Sequence, residues 1–159
     1  MKRIFAMAAV LGAATAMQGQ VPVKHLQTEK SAIASAVWAG DTLYVSGQLA
    51  DPVTPADPAK GTTAVYGDTQ AQALSALTKI QKVLQAEGLD MKDVVKMTVF
   101  LAADPSTGKM DFPGLQASYT QFFGTKEQPN KPARSAVQVA ALAAPGALLE
   151  IEVIAVKSK

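Results

Sequence analysis

Between positions 69 and 87 apolar residues return at every third or fourth place. Leu74, Leu77, Ile80 and Leu84 make one stripe, with Ala73, Gln81 and Val83 beside it. That 3.6-residue period predicts an amphipathic helix. Asp68 is placed to cap its first turn and Gly88 to stop it. Gln72, Lys79 and Gln85 fall away from the stripe and are expected in solvent. The period then drops to two over residues 93–102. Val95, Met97, Val99 and Leu101 point one way, and Val94, Lys96, Thr98 and Phe100 point the other, so a strand with one firmly apolar face is expected.

Other segments are shorter. Residues 17–31 have no clear period and are expected to be loose. Strands are predicted over 33–38 and 42–48, joined at Gly40-Asp41. Residues 51–61 hold three prolines and a glycine and exclude regular structure. A second helix is predicted from Asp111 as cap, with Pro113 in the first turn, where its missing N–H costs little. Leu115, Tyr119, Phe122 and Phe123 supply its buried side, and Gly124 ends it. Two strands over 134–141 and 148–156 close the chain, separated by Ala144-Pro145-Gly146. The order ββαβαββ predicts an α+β domain, one mixed sheet with both helices on one face.

Composition alters this picture mainly at the start. Lys2 and Arg3 precede an apolar run from residue 4 to 13, and Ala14-Thr15-Ala16 has the small-x-small form of a cleavage site. Residues 1–16 are therefore expected to be a removable secretory signal, which implies a periplasmic or secreted protein, with residues 17–159 forming one domain. The run is too short to be a membrane span. The chain has 15 basic and 13 acidic residues, and losing Lys2 and Arg3 leaves 13 of each. A near-neutral domain without a basic run has no electrostatic footprint for nucleic acid or an anionic membrane. The absence of cysteine excludes disulfides, thiol nucleophiles and thiolate metal sites. His25, the single histidine, lies in the segment expected to be loose, so neither a metal site nor a histidine triad is supported.

The last two strands carry the candidate chemistry. Leu149, Ile151 and Val153 share one face, with Glu150 and Glu152 on the other. In the strand before, Arg134, Ala136 and Gln138 lie opposite Ser135, Val137 and Val139. If the helices cover the Ile and Val faces, the Arg and Glu faces lie together on the uncovered side of the sheet. Ile154 and Val156 make that side half apolar, which favours packing against further copies of the chain, with charged clefts between subunits. Arg134 can present two parallel N–H donors to a small carboxylate. It can equally pair with Glu150 or Glu152 across adjacent strands, and spacing alone favours that pairing. Glu150 is a general base or a solvated strand residue, and spacing alone favours the second.

At these residues a family resemblance emerges. Tyr44-Val45-Ser46-Gly47-Gln48, Gly88-Leu89-Asp90 leading into 93–101, Asp111-Phe112, Tyr119 with Phe122-Phe123, Pro132-Ala133-Arg134-Ser135, and residues 150–155 resemble segments of the RidA (YjgF) family in order and spacing. The match runs over roughly residues 33–157. The resemblance implies a chorismate-mutase-like fold, a homotrimer with clefts between subunits, and hydrolysis of reactive 2-imino acids to 2-keto acids and ammonia without metal or organic cofactor. It further implies that Arg134 holds the substrate carboxylate and that Glu150 places the attacking water. It also implies that the Ala136 carbonyl touches that water, and that Gly47 and Phe112 line the pocket.

Three departures stand out. Residues 33–37 replace the family's Gly-Pro-Tyr-Ser-type motif, so its pocket tyrosine is missing. Gln116 stands where an asparagine is usual, and the loop over 103–110 is several residues longer than typical. They point to another ligand or a reduced activity. Two functions therefore compete: an exported imino-acid deaminase of altered specificity, and a non-catalytic binding protein for small carboxylates. The retained Arg134 and Glu150 put the deaminase ahead, and no feature favours a purely structural trimer.

Overall fold

The computed structural model describes residues 20–158, so the expected signal segment lies outside the described residues. Six strands form one sheet: β1 (Val23–Leu26), β2 (Ala36–Ala39), β3 (Thr42–Leu49), β4 (Val94–Leu101), β5 (Ala133–Gln138) and β6 (Leu149–Val156). Two helices, α1 (Thr69–Ala86) and α2 (Phe112–Tyr119), connect β3 to β4 and β4 to β5. The strand order is β1-β2-β3-β6-β4-β5, parallel only between β4 and β5. The sheet is mixed, as expected.

Both helices lie against each other, and α1 packs on β3 and β6. One residue in two along the strands is buried beneath them: Leu43 and Val45 from β3, Met97, Val99 and Leu101 from β4, and Leu149, Ile151, Val153 and Ala155 from β6. The helices return Leu77, Ile80, Leu84 and Leu115 to the same cluster. Full burial of each such side chain contributes about 1.5–3 kcal/mol. Tyr44, Glu152, Ile154 and Val137 stand on the opposite face, partly or fully exposed. Among the described residues no helix is long and apolar enough to cross a membrane.

Asp68 caps α1 by accepting from the Ala71 N–H. The buried stripe of α1, however, is rotated from the expected one. Leu74 is 41% exposed, whereas Gln72 is fully buried. The Gln72 amide donates to the carbonyls of Gly67 and Gly146 at 3.0 and 3.1 Å and accepts from the Leu148 N–H at 2.8 Å. A polar group can occupy the core because all its hydrogen-bonding capacity there is answered. Lys79 is also turned inward, with its ammonium on the Leu49 carbonyl and Asp51.

Four further expectations need correction. Residues 23–26, thought loose, form the edge strand β1, with His25 opposite Val37. The second strand starts at Ala36 rather than 33, and Ile33 is exposed. In β4 the register slips between Val94 and Lys96, which buries Val94 and turns Val95 out. Finally, α2 ends at Tyr119 instead of running to Gly124, although Phe123 still reaches the core from the turn that follows.

Candidate functional site

The parallel pairing of β5 with β4 decides where Arg134 points. Arg134 lies opposite Met97 and Ala136 opposite Val99, both buried under the helices. Arg134 and Ala136 therefore share a face, as expected, but it is the helix-covered face and not the open one. The physical reason is strand order: β4 lies between β5 and β6, so Arg134 has no glutamate of β6 beside it. The expected alternative of a cross-strand Arg134–Glu150 or Arg134–Glu152 pair falls with it. The three ion pairs among the described residues are Lys24–Glu87, Lys60–Asp57 and Lys79–Asp51.

What surrounds Arg134 comes from α2. Asp111 caps this helix through the Gly114 N–H, and Pro113 occupies its first turn. Phe112, Gln116 and Tyr119 then recur at steps of four and three, on one stripe of the helix. Arg134 Nη2 donates to Gln116 Oε1 at 2.9 Å. The guanidinium carbon lies 4.1 Å from the Tyr119 ring centre and 5.5 Å from that of Phe112, within cation–π range. Nη1 is buried with no hydrogen-bond partner among the described residues. Burial raises the Tyr119 phenol above its ordinary range, an effect partly offset by the charge of Arg134. The arrangement is a cation without a counter-ion among the described residues, held by one amide and two rings.

Tyr119 was expected only as a core residue. Its spacing from Phe112 and Gln116 was the available signal, and the missing information was that β5 lies beneath this stripe. The long loop over 103–110 turns on Asp104, whose carbonyl accepts from the N–H groups of Thr107 and Gly108. It is fastened to the end of β5 by a 3.2 Å hydrogen bond from the Met110 N–H to Gln138 Oε1. It thus leads into Phe112 beside the arginine.

Gly47 and Glu150 meet on the other face. Where β3 and β6 slip register between Val45 and Gln48, the Glu150 side chain lies directly over the Gly47 backbone. A β-carbon at Gly47 would overlap that carboxylate. Beside Glu150 is an open depression of about 280 Å³ lined by Phe100, Val139, Ala141, Leu142 and Ala143. Glu150 and Arg134 are thus three rows along and two strands across from each other, roughly 14 Å between α-carbons, on opposite faces. One chain brings together Arg134, Gln116, Phe112 and Ala136, and separately Gly47 and Glu150. Among the described residues no cluster of three or more histidine, aspartate or glutamate side chains is arranged to hold a metal.

The fold is the chorismate-mutase-like α+β arrangement. The crystal structure of Escherichia coli TdcF with bound serine superposes with a TM-score of 0.64 at 34% identity, covering 85% of this chain and 99% of that one. The family described as Endoribonuclease L-PSP matches residues 28–157, and the chain belongs to this family, also known as RidA or YjgF. A 2-iminobutanoate/2-iminopropanoate deaminase of Capra hircus is 43% identical over 122 residues, 77% of either chain. A RutC family protein of Haemophilus influenzae is 38% identical over 137 residues, 83% of this chain and 95% of that protein.

Proposed function

We propose that the protein hydrolyses reactive 2-imino acids to 2-keto acids and ammonia. The observation that carries this reading is Arg134, a half-buried cation whose buried Nη1 has no hydrogen-bond partner and which has no carboxylate partner among the described residues. A substrate carboxylate would supply the missing acceptor and charge. Phe112, 38% exposed at the rim, is the side chain able to turn aside for it. Relatives named as imino-acid deaminases and the serine held by the E. coli protein favour a small α-substituted acid.

In the reaction, water adds to the electrophilic C2 of the protonated imine. The resulting carbinolamine breaks its C–N bond and releases ammonia, while the water oxygen becomes the keto oxygen. Glu150 would orient the water and take its proton, with the Ala136 carbonyl as a further acceptor. Holding both reactants accounts for much of the acceleration, since the iminium carbon needs little activation.

Arg134 and Glu150 lie too far apart within one chain to share a substrate. The site is therefore completed by a second copy, in a homotrimer packed through the open sheet face with Tyr44, Val137 and Ile154. Residues 1–16 direct the chain to the periplasm or beyond. A second reading, a non-catalytic carboxylate binder, is favoured by Ile33, which stands 69% exposed in the segment that replaces the family's tyrosine motif.

The test is the rate of keto acid formation from imino acids generated in situ by an amino-acid oxidase. Wild type should accelerate it and Arg134→Ala should not. No acceleration across several side chains, with acids still stabilising the wild type against heat, would leave the binding protein. A monomer in sedimentation that is nonetheless fully active would overturn the shared site.

A further inference from the structure

We infer that Tyr119 is a positioning residue for this reaction, its ring standing in for the counter-ion that Arg134 lacks. The inference rests on the deaminase reading of Arg134 and adds the means by which that arginine is held ready. The guanidinium carbon is 4.1 Å from the Tyr119 ring centre. The ring stacks in turn on Phe123, with centres 4.9 Å apart and planes at 23°. Phe123 is 2% exposed and Tyr119 6%, so the two rings form a stacked column seated in the core, with the guanidinium beside its Tyr119 member.

A buried arginine is usually held by a carboxylate, which would compete with a substrate acid for the same donors. An aromatic face attracts the cation through its quadrupole but accepts no in-plane N–H. Gln116 takes one donor nitrogen as a neutral acceptor and fixes rotation about the fork. The column thus orients the guanidinium without neutralising it. Tyr119 touches no reacting atom and acts through Arg134.

Ring electronics can be changed without changing ring shape. Full-length proteins carrying Tyr119→Phe, and then mono-, di- and trifluorinated phenylalanine at position 119, are compared by kcat and KM on 2-iminopropanoate and by titration with pyruvate. Tyr119→Phe, which keeps the ring and removes the hydroxyl, is the reference for the series. Added fluorines drain the face of the ring, so KM and the pyruvate dissociation constant should climb stepwise, by roughly tenfold across the series. The kcat and melting temperature should hardly move. A purely packing role leaves KM and pyruvate affinity flat across the series, and that result would overturn the inference. If wild type binds pyruvate without turnover, the deaminase reading fails while the pyruvate series still decides the role of Tyr119. If wild type does neither, both fall.

Discussion

Replacing Gly47 with alanine should uncouple activity from stability. The backbone there is not in the left-handed region, so alanine meets no conformational strain. Its β-carbon would overlap the Glu150 carboxylate and come within 3.0 Å of Cγ. These atoms belong to a flexible side chain with open space of about 280 Å³ beside it, so Glu150 can swing away. Leaving a preferred rotamer costs about 0.5–1.5 kcal/mol, a loss of roughly 4 °C in melting temperature for a domain of this size. A carboxylate displaced by about 1 Å or more from its water loses on the order of 100-fold in rate, or about 2.7 kcal/mol of barrier. The assay is kcat on an imino acid generated in situ, read beside a thermal melt. A variant that melts a few degrees lower and keeps the wild-type kcat would refute the placing of water by Glu150. A collapse of the fold would refute the argument that the side chain can move.

Two further expectations concern stability. Gln72→Leu keeps the volume but strands the buried Leu148 N–H, together with the carbonyls of Gly67 and Gly146; a loss of about 2 kcal/mol is expected in urea unfolding, and a loss below about 0.5 kcal/mol would mean that Leu148 finds another acceptor. Glu87 accepts from the Trp38 indole at 2.8 Å and from Lys24 at 3.3 Å, which together hold its carboxyl below the ordinary range, Trp38 contributing most. Because the folded value is the lower one, this stabilisation is complete above the ordinary glutamate range and disappears as pH falls through the folded value. Glu87→Gln should accordingly melt lower at neutral pH and lose less on acidification, and parallel pH profiles for the two proteins would contradict the assignment.

Periodicity located the long elements well because each buries a face large enough to leave a pattern. Residues 69–87 and 93–102 were legible for that reason, and their errors are local. A count of apolar residues chose Leu74 over Gln72, since nothing in the sequence shows that two glycine carbonyls and the Leu148 N–H converge on that amide. Likewise β1, with Val23, Lys24 and His25 all exposed on a sheet edge, has no alternation to reveal it. The site was legible as a set of residue types and not as a geometry. Alternation placed Arg134 and Ala136 on one face correctly. Which face the helices cover, and which strand lies next to which, depends on a parallel crossover through α2 that short-range pattern does not encode. Gly47 became meaningful only when the register slip laid Glu150 across it.

The sheet that separates Arg134 from Glu150 has a genetic consequence. In the trimer proposed above, each cleft draws its arginine from one chain and its glutamate from the next. On that proposal, an allele lacking the arginine and another lacking the glutamate would each be inactive alone. Expressed together, they would assemble into mixed rings in which an intact arginine faces an intact glutamate at one junction. Two dead genes would then restore each other, and selection would act on pairs of neighbouring chains rather than on a single polypeptide.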